Sequence, residues 1–449
     1  MNRAQRRLAR KRGGAAPVAT SPAARELFAQ AVAHHRAGRQ AEAETLYRRV
    51  LAADPRNADA LHGLGVVAFQ TGRYQSAVDL IGQAISIDAA PAIYHSNLGA
   101  ALKLQGKLDE AVARYRKAIS LDPSYADAHY NLGVLYQQQE QFEAAIASYE
   151  QALAAKPGYA AAHNNLGNVF KVQGRLAKAA ACFERALMLA PDDGEILNNL
   201  GATLMAQGEL EGAAARFEQA LAGRPDDAKI RSNLLMSLNY TDRSAADEIF
   251  AAHRRFGEIH ERELPPPAPH LNDRDPKRRL RVGYVSPDFK EHATAWFLSP
   301  LLASHDHAAV EVFCYAEVAN PDRRTAQLQG MADHWRSSVG LSDQALAERI
   351  RADRIDILVD VAGHTAGNRL TMFALKPAPV QVTWLGYPNT TGLAAMDYKL
   401  VDAITDPQGG AAVWSTETLF RLDDGFICYG ASSDDPAPAP PPCLAAGMV

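Results

Sequence analysis

Apolar positions along residues 22–240 recur with a period of 34 residues. Leu-Gly pairs begin at Leu64, Leu98, Leu132, Leu166 and Leu200. A column of small residues and a column of mostly aromatic residues keep the same spacing: Ala43, Ala77, Ala111, Ala145, Ala179 and Ala213, and Tyr47, Ile81, Tyr115, Tyr149, Phe183 and Phe217. Small residues on two adjacent helices let the backbones approach, and larger residues fill the groove beside that contact. Each repeat is therefore predicted to form one helix hairpin.

Glycine and proline mark the ends of the predicted helices. A left-handed C′ residue is expected after the first helix of five repeats, at Gly38, Gly72, Gly106, Gly174 and Gly208. Glu140 interrupts this column, and the second helix ends before prolines such as Pro123 and Pro157. Six hairpins and a closing helix over about residues 226–240 are expected. The pattern resembles the tetratricopeptide repeat, whose stacked hairpins form an extended surface that typically binds peptide.

Asparagine forms a further column with the same period. Its members are Asn97, Asn131, Asn165, Asn199 and Asn233. They lie two residues before the repeat glycine, about 200° around the helix from the hairpin contact. A carboxamide both donates and accepts hydrogen bonds, so this column is predicted to hold the backbone of an extended peptide. The alternative is that asparagine is merely tolerated on a solvated helix face, although it is a poor helix former.

The pattern changes after a proline-rich linker at residues 265–269. Short apolar runs predict strands over 280–285, 310–315, 357–361, 380–384 and 398–401, separated by helical stretches. Strands that alternate with helices indicate a largely parallel α/β sheet. In such a sheet ligands bind beyond the carboxyl ends of the strands.

Three loops at those strand ends carry residues suited to chemistry. His292 closes the first loop, where either a functional or a helix-capping role is open. Asp360 and His364 in the second loop could form a general-base pair or could brace the loop. Gly363 and Gly367 let backbone approach a ligand and expose N–H groups suited to phosphate. A third, glycine-containing loop covers residues 384–392.

Composition narrows the classes of function. A formal net charge of −4 gives no global reason to expect nucleic acid or an anionic membrane as partner. Residues 1–21 are basic and are predicted to form a disordered tail, with contact to nucleic acid or an anionic surface as the alternative. No signal peptide or membrane span is expected, so a cytoplasmic location is predicted. The four scattered cysteines support neither a disulfide framework nor a zinc site.

The motifs together resemble the O-linked N-acetylglucosaminyltransferase family, including its Spindly-type members. They are the repeats with their asparagine column and the segments RVGYVSPDFKEH, DVAGHTAGNR, PAPVQVTWLGYPNTTG and MDYKLVD. The resemblance implies transfer of a sugar, with inversion and without a metal, from UDP-N-acetylglucosamine to serine or threonine of proteins. It implies a catalytic role for His292, to which Asp360 is added as a candidate, and donor binding by Gly363, His364 and Thr365. No other cofactor is expected, and the asparagine column is implied to bind the acceptor peptide.

The resemblance also implies a domain plan with one departure. The expected domains are the tail at 1–21, the repeats at 22–240, a helical and proline-rich linker at 241–272, one Rossmann-like α/β lobe at 273–430, and a proline-rich linker at 431–449. The family's catalytic unit has two such lobes, and the second, which provides most nucleotide-binding residues, is expected to be absent here. Transfer by this chain is therefore expected to be impaired.

Two other functions stay open from the sequence. A Spindly-like protein O-fucosyltransferase would use GDP-fucose on the same architecture. A peptide-binding scaffold without catalysis would need only the repeats.

Overall fold

The computed structural model describes residues 22–241, 244–267, 269–275 and 277–428. The predicted basic tail and the predicted linker at 431–449 lie outside these residues. The chain forms two compact units that divide between Pro191 and Asp192. None of the helices in the described ranges is long and apolar enough to cross a membrane.

The first unit consists of helix hairpins. Its helices are α1 (Pro22–Arg36), α2 (Gln40–Ala53), α3 (Ala58–Gln70), α4 (Tyr74–Ile87), α5 (Ala92–Leu104), α6 (Leu108–Leu121), α7 (Ala126–Gln138), α8 (Phe142–Ala155), α9 (Ala160–Val172) and α10 (Leu176–Leu189). Successive pairs such as α3 and α4 pack against each other as hairpins. The predicted repeat architecture is confirmed.

The repeat glycines allow the close contact within each hairpin. A Cβ atom on Gly133 would lie 2.7 Å from the Tyr149 ring, and one on Gly167 would lie 2.7 Å from the Phe183 ring. The column alanines are completely buried. The aromatic ring of the second helix therefore occupies the space that a side chain on the first helix would need.

The turn residues have the left-handed conformation that the sequence predicts. The five turn glycines of the repeats have φ between +71° and +82°. Glu140, which replaces glycine in this column, has φ +58°. The backbone geometry of the turn is thus kept although the residue is unfavourable for it.

The second unit begins with further hairpin helices and continues into the sheet. Its helices before the sheet are α11 (Gly194–Gln207), α12 (Leu210–Gly223), α13 (Ala228–Leu238) and α14 (Ala246–Glu261). The strands are β1 (Leu280–Ser286), β2 (Val310–Ala316), β3 (His334–Ser337), β4 (Ile357–Asp360), β5 (Val380–Thr383), β6 (Tyr398–Asp402) and β7 (Thr418–Leu422). The helices between them are α15 (Ala293–Ser304), α16 (Arg323–Gln329), α17 (Asp343–Ala352) and α18 (Leu370–Ala374), with a 3₁₀ helix at Ala411–Trp414.

All strands of the sheet are parallel, in the order β3-β2-β1-β4-β5-β6-β7. The predicted parallel α/β lobe is confirmed, and five strands lie within one residue of their predicted ends. Strands β3 and β7 at the two edges were not predicted. The order reverses between β1 and β4, and a doubly wound sheet binds ligands beyond the carboxyl ends at such a point.

Two hydrophobic cores cover the two faces of the sheet. One contains Val282 and Val312 of the sheet together with Leu298 of α15. The other contains Val285 and Leu358 with Ile350 of α17, and it also includes Leu235 of α13 and Phe256 of α14. The last helices before the sheet are therefore part of the core of the α/β unit.

Candidate active site

The loops that follow β1 and β4 meet at the carboxyl edge of the sheet. A Cβ atom on Gly367, in the β4 loop, would lie 2.9 Å from the Pro287 side chain in the β1 loop. Gly367 also has φ +79°, a conformation that favours glycine. These loops flank the point where the strand order reverses, so the predicted crevice lies where this topology places a ligand.

His292 ends the β1 loop and caps α15. Its Nδ1 accepts a hydrogen bond from the Thr294 backbone N–H at 3.3 Å, and its side chain is 46% exposed. Because Nδ1 is an acceptor, the neutral ring carries its proton on Nε2, which has no partner among the described residues. The helix-capping role is thus present in the structure, and the capping geometry leaves one exposed N–H donor.

Asp288 lies beside His292 and was missed by the sequence analysis. Its Oδ2 is 3.7 Å from His292 Nδ1. Burial raises the pKa of Asp288, and the neighbouring His292 works in the opposite direction. The i, i+4 spacing of an acid and a histidine in one loop was the available signal.

Asp360 is buried at the end of β4, and its carboxylate accepts hydrogen bonds from the loop that follows this strand. It accepts hydrogen bonds from the backbone N–H groups of Ala362 at 3.1 Å and Gly363 at 2.9 Å, and from Thr383 Oγ1 at 2.8 Å. Burial raises the pKa of Asp360 to about 6, against the effect of these bonds. The expectation that the Gly363 N–H is free for a phosphate is therefore wrong, because Asp360 already accepts it.

His364 is buried with both ring nitrogens bonded inside the protein. Nε2 donates to the Thr391 carbonyl at 2.9 Å, and Nδ1 accepts from Ser232 Oγ of α13 at 3.0 Å. Burial lowers the pKa of His364 well below its ordinary value, so the ring is neutral. The structure does not join Asp360 and His364 by a hydrogen bond. This geometry favours the loop-bracing alternative over a general-base pair.

Gly363 and Thr365 shape the β4 loop. Gly363 has φ +55°, and a Cβ atom there would lie 2.2 Å from Tyr387 Cβ in the β5 loop. Thr365 is partly exposed and its hydroxyl donates to the Ala362 carbonyl at 2.9 Å. Donor binding by Gly363, His364 and Thr365 stays a prediction.

The β5 loop contains a strained residue that the sequence did not reveal. Leu385 has φ +73°, and the Gly386 N–H donates to the Trp384 carbonyl at 2.9 Å, which is a γ-turn of the rare, strained type. A Cβ atom on Gly386 would lie 2.1 Å from the Val361 carbonyl oxygen. Strain of this kind concentrates at functional loops.

Arg369 ties the loops after β2, β3 and β4 together. Its guanidinium donates to Glu317 at 2.6 Å and to Asp343 at 2.8 Å, and also to the Ser338 carbonyl at 3.1 Å. The side chain is 15% exposed. This cluster fixes the edge of the sheet, and its members are too far apart in sequence to have been grouped in advance.

All members of the asparagine column are partly buried. In the first unit Asn97 Nδ2 lies 2.8 Å from His62 Nε2, and Asn165 Nδ2 donates to the Tyr130 hydroxyl at 3.1 Å. In the second unit Asn233 Nδ2 donates to Asn198 Oδ1 at 2.8 Å, and the backbone carbonyl of Asn199 accepts from the Thr203 hydroxyl. Asn131 shows no such bond among the described residues. Peptide binding by this column stays a prediction.

No group of three or more potential metal ligands occurs among the residues that the structure describes.

Comparison with known proteins finds a match for each part of the chain. Residues 259–430 match the family model described as glycosyl transferase family 41. Residues 259–430 are therefore similar to that family. Tetratricopeptide-repeat models match residues 28–92, 101–140, 135–194 and 164–228.

The names of similar proteins agree with the match to the glycosyltransferase family model. The chain is 38% identical over 219 residues to a probable UDP-N-acetylglucosamine–peptide N-acetylglucosaminyltransferase SPINDLY of Petunia hybrida, over 48% of this chain and 23% of that protein. It is 40% identical over 153 residues to UDP-N-acetylglucosamine–peptide N-acetylglucosaminyltransferase of Caenorhabditis elegans, over 33% of this chain and 13% of that protein. The match to the Petunia protein thus spans about a quarter of the relative's length.

A solved structure shares both parts of the fold. A mutant of the Thermobaculum terrenum O-GlcNAc transferase matches with a TM-score of 0.65 and 34% identity, over 70% of this chain and 60% of that chain. The matched 70% of this chain is longer than the repeats alone or the α/β sheet alone, so it includes residues of both.

Proposed function

We propose that this chain provides the acceptor-binding repeats and the first catalytic lobe of a protein O-N-acetylglucosaminyltransferase. The donor in this proposal is UDP-N-acetylglucosamine, and the acceptors are serine or threonine hydroxyls of proteins. The observation that carries it is His292, half exposed at the end of the β1 loop, which contacts the β4 loop beside the switch point of the sheet. A cytoplasmic location and the absence of a cofactor other than the donor stay predictions.

The capping geometry of His292 suggests its role in transfer. Attack of a hydroxyl on the anomeric carbon releases a nucleoside diphosphate, so charge develops on a phosphate oxygen. With Nδ1 engaged by Thr294, the neutral ring offers Nε2–H as a hydrogen-bond donor rather than as a base. We therefore assign His292 to donate a hydrogen bond to the reacting oxygens. The group that removes the hydroxyl proton is left open.

Asp360 and His364 act as positioning residues in this proposal. Asp360 accepts two N–H groups of the β4 loop, and His364 joins that loop to α13 and to the β5 loop. Both side chains are about 1% exposed. They hold the backbone of the Gly363–Thr365 segment, whose exposed neighbours Ala366 and Gly367 then face ligands.

The proposal is tested with radiolabelled donors. Residues 1–430 are joined to the part of the Thermobaculum transferase that the match does not cover, and the original chain is assayed in parallel. Incubation with UDP-N-acetylglucosamine and an acceptor protein should label the acceptor, more strongly with the joined protein. His292→Ala should reduce labelling by roughly 10²- to 10³-fold, the cost of losing one hydrogen-bond donor to the reacting oxygens.

A control variant and a second donor distinguish the proposed function from its alternatives. His307→Ala removes a histidine of similar exposure, 45%, that is bonded to Asp333 away from the site, and should leave labelling unchanged. Label from GDP-fucose alone would replace the proposed donor with the fucosyl alternative. Peptide binding without transfer of either sugar by the joined protein would favour the scaffold.

A further inference from the structure

A second polar column precedes the asparagine column in the repeats. Its members lie one residue before each asparagine position: His62, Ser96, Tyr130, Asn164 and Asn198. Each is therefore 35 residues before an asparagine of the following repeat. Every one of these residues can accept a hydrogen bond.

Three of these positions are hydrogen-bonded to the asparagine of the next repeat. The pairs are His62 with Asn97, Tyr130 with Asn165, and Asn198 with Asn233. In each pair the asparagine directs its Nδ2 group at the partner and its Oδ1 away from it, and Asn165 also makes a hydrogen bond with Tyr149. The partners are held in place in turn, since His62 stacks on Tyr94 with ring centroids 4.4 Å apart and Tyr130 packs on Tyr159 at 4.9 Å.

The other end of each carboxamide is left open to solvent. The Oδ1 atoms of Asn97, Asn165 and Asn233 have no partner among the described residues. None of them belongs to the buried polar atoms that lack a partner, so each is reached by solvent. An amide oriented in this way presents a hydrogen-bond acceptor to a ligand.

The protonation of His62 agrees with this orientation. Burial lowers the pKa of His62 to about 4, so the ring is neutral near pH 7. With its proton on Nδ1, the ring accepts the Asn97 N–H at Nε2.

We propose that His62, Tyr130 and Asn198 are positioning residues that orient the asparagine carboxamides so that Oδ1 accepts N–H groups of the acceptor-peptide backbone. This inference rests on the proposed function of the column. It makes binding depend on peptide N–H groups, without a requirement for particular side chains. It also makes Asn131 the exception, because Ser96 bonds to Tyr125 and no bond to Asn131 is present among the described residues.

The test compares two peptides that differ only in backbone N–H groups. One is a fluorescein-labelled peptide of alternating glycine and serine, and the other has sarcosine, which lacks the N–H, in place of each glycine. Binding to the full chain is followed by fluorescence anisotropy. The glycine peptide should bind more tightly than the sarcosine peptide.

Variants of the positioning residues then test whether the orientation of the asparagine carboxamides affects binding. Tyr130→Phe keeps the ring and removes the hydroxyl, and it should weaken binding of the glycine peptide by about two- to tenfold while reducing the preference over sarcosine. Asn198→Leu should act in the same direction. Ser96→Ala removes a hydroxyl of the same column that bonds to Tyr125 rather than to an asparagine, and it should change neither quantity.

The outcomes distinguish the positioning role from peptide binding by the asparagine column. If the double variant Asn97→Ala/Asn165→Ala binds the glycine peptide as the parent does, the proposed role of the column fails. If that double variant binds weakly but Tyr130→Phe and Asn198→Leu match the parent in affinity and preference, the column stands and the positioning inference is overturned. Equal binding of the two peptides by the parent chain would also overturn it.

Discussion

At the residue scale, buried histidines set the response of the α/β unit to acid. His253 of α14 is completely buried, donates from Nδ1 to the Ile249 carbonyl at 2.7 Å, and accepts at Nε2 from the Tyr387 hydroxyl at 2.8 Å. Burial lowers its pKa to about 4, while Glu417 raises it and Lys399 lowers it. His364 packs edge-on against the same ring.

The pKa shift of His253 predicts a loss of stability on acidification. The folded pKa lies below the ordinary value of 6.5, so the unfolded chain binds a proton first as the pH falls. The free energy of unfolding is therefore highest above pH 6.5. It falls by roughly 3 kcal/mol as the pH drops from 6.5 to about 4. Denaturant unfolding at several pH values measures it. His253→Gln should show a smaller pH dependence, and an unchanged slope would contradict the assignment.

A second prediction concerns contact between the β4 and β5 loops. Gly386→Ala would place Cβ 2.1 Å from the Val361 carbonyl oxygen, which is backbone and cannot move aside easily. We expect the second unit to lose about 1–3 kcal/mol of stability. The midpoint of its thermal unfolding reports this change.

The matched control for that substitution lies in the same unit. Gly410→Ala meets no heavy atom within 4 Å and should leave the midpoint nearly unchanged. Equal midpoints for the two variants would mean that the loops are not in the close contact described.

At the element scale, the sequence predicted those elements whose pattern is local. The hairpins followed from the 34-residue columns, and five strands followed from apolar runs. Strands β3 and β7 were missed because edge strands are partly exposed: β3 reads His-Trp-Arg-Ser and is intermediate or exposed throughout.

The site was predictable only in part, because some of its contacts join residues that are far apart in the sequence. The loops that carry His292 and Gly363 follow from strand ends. The bond between Ser232 and His364 spans 132 residues, and Tyr387 joins Asn239 across 148 residues. No local pattern predicts such pairs, and the buried His364 contacts both Ser232 and Tyr387.

The turn at Glu140 allows a prediction about one hairpin. Glu140 has φ +58° between α7 and α8, where the equivalent repeats have glycine. A left-handed non-glycine residue costs about 1–2 kcal/mol, so Glu140→Gly should raise the unfolding midpoint of the first unit. Circular dichroism during heating measures this.

The reverse substitution provides the control. Gly106→Glu, at φ +76° in the same turn of another repeat, should lower the midpoint. If both substitutions shift the midpoint in the same direction, the backbone conformation does not decide the stability of this turn.

At the scale of the whole molecule, the boundary between compact units does not coincide with the end of the repeats. The second unit starts at Asp192 and so includes α11, α12 and α13. Leu235 of α13 belongs to the same core as Leu358 of β4. Helix α13 thus shares the core of the α/β sheet, and the end of the repeats in sequence is not the boundary between the compact units.

The backbones of α14 and the β5 loop are also in direct contact, which joins this helix to the α/β sheet. A Cβ atom on Gly392 would lie 2.0 Å from the His253 carbonyl oxygen, and one on Gly257 would lie 2.1 Å from the Gly392 carbonyl oxygen. Glu261 accepts the backbone N–H groups of Ala394 and Ala395 at 3.0 and 2.8 Å. Such contacts leave no layer of side chains or solvent between the helix and the loop.

We therefore predict different behaviour for two fragments of the chain. A fragment that starts at Asp192 should unfold in one cooperative transition, because it keeps Leu235 in the core and Ser232 on His364. A fragment that starts at Thr241 should expose that core and leave Nδ1 of a buried histidine without a partner. Hydrogen exchange of the β4 and β5 amides compares them: strong protection in the first fragment and early exchange in the second are expected. Equal protection would show that the lobe folds without the last repeats, and their bonds to His364 would then serve only to position its loop.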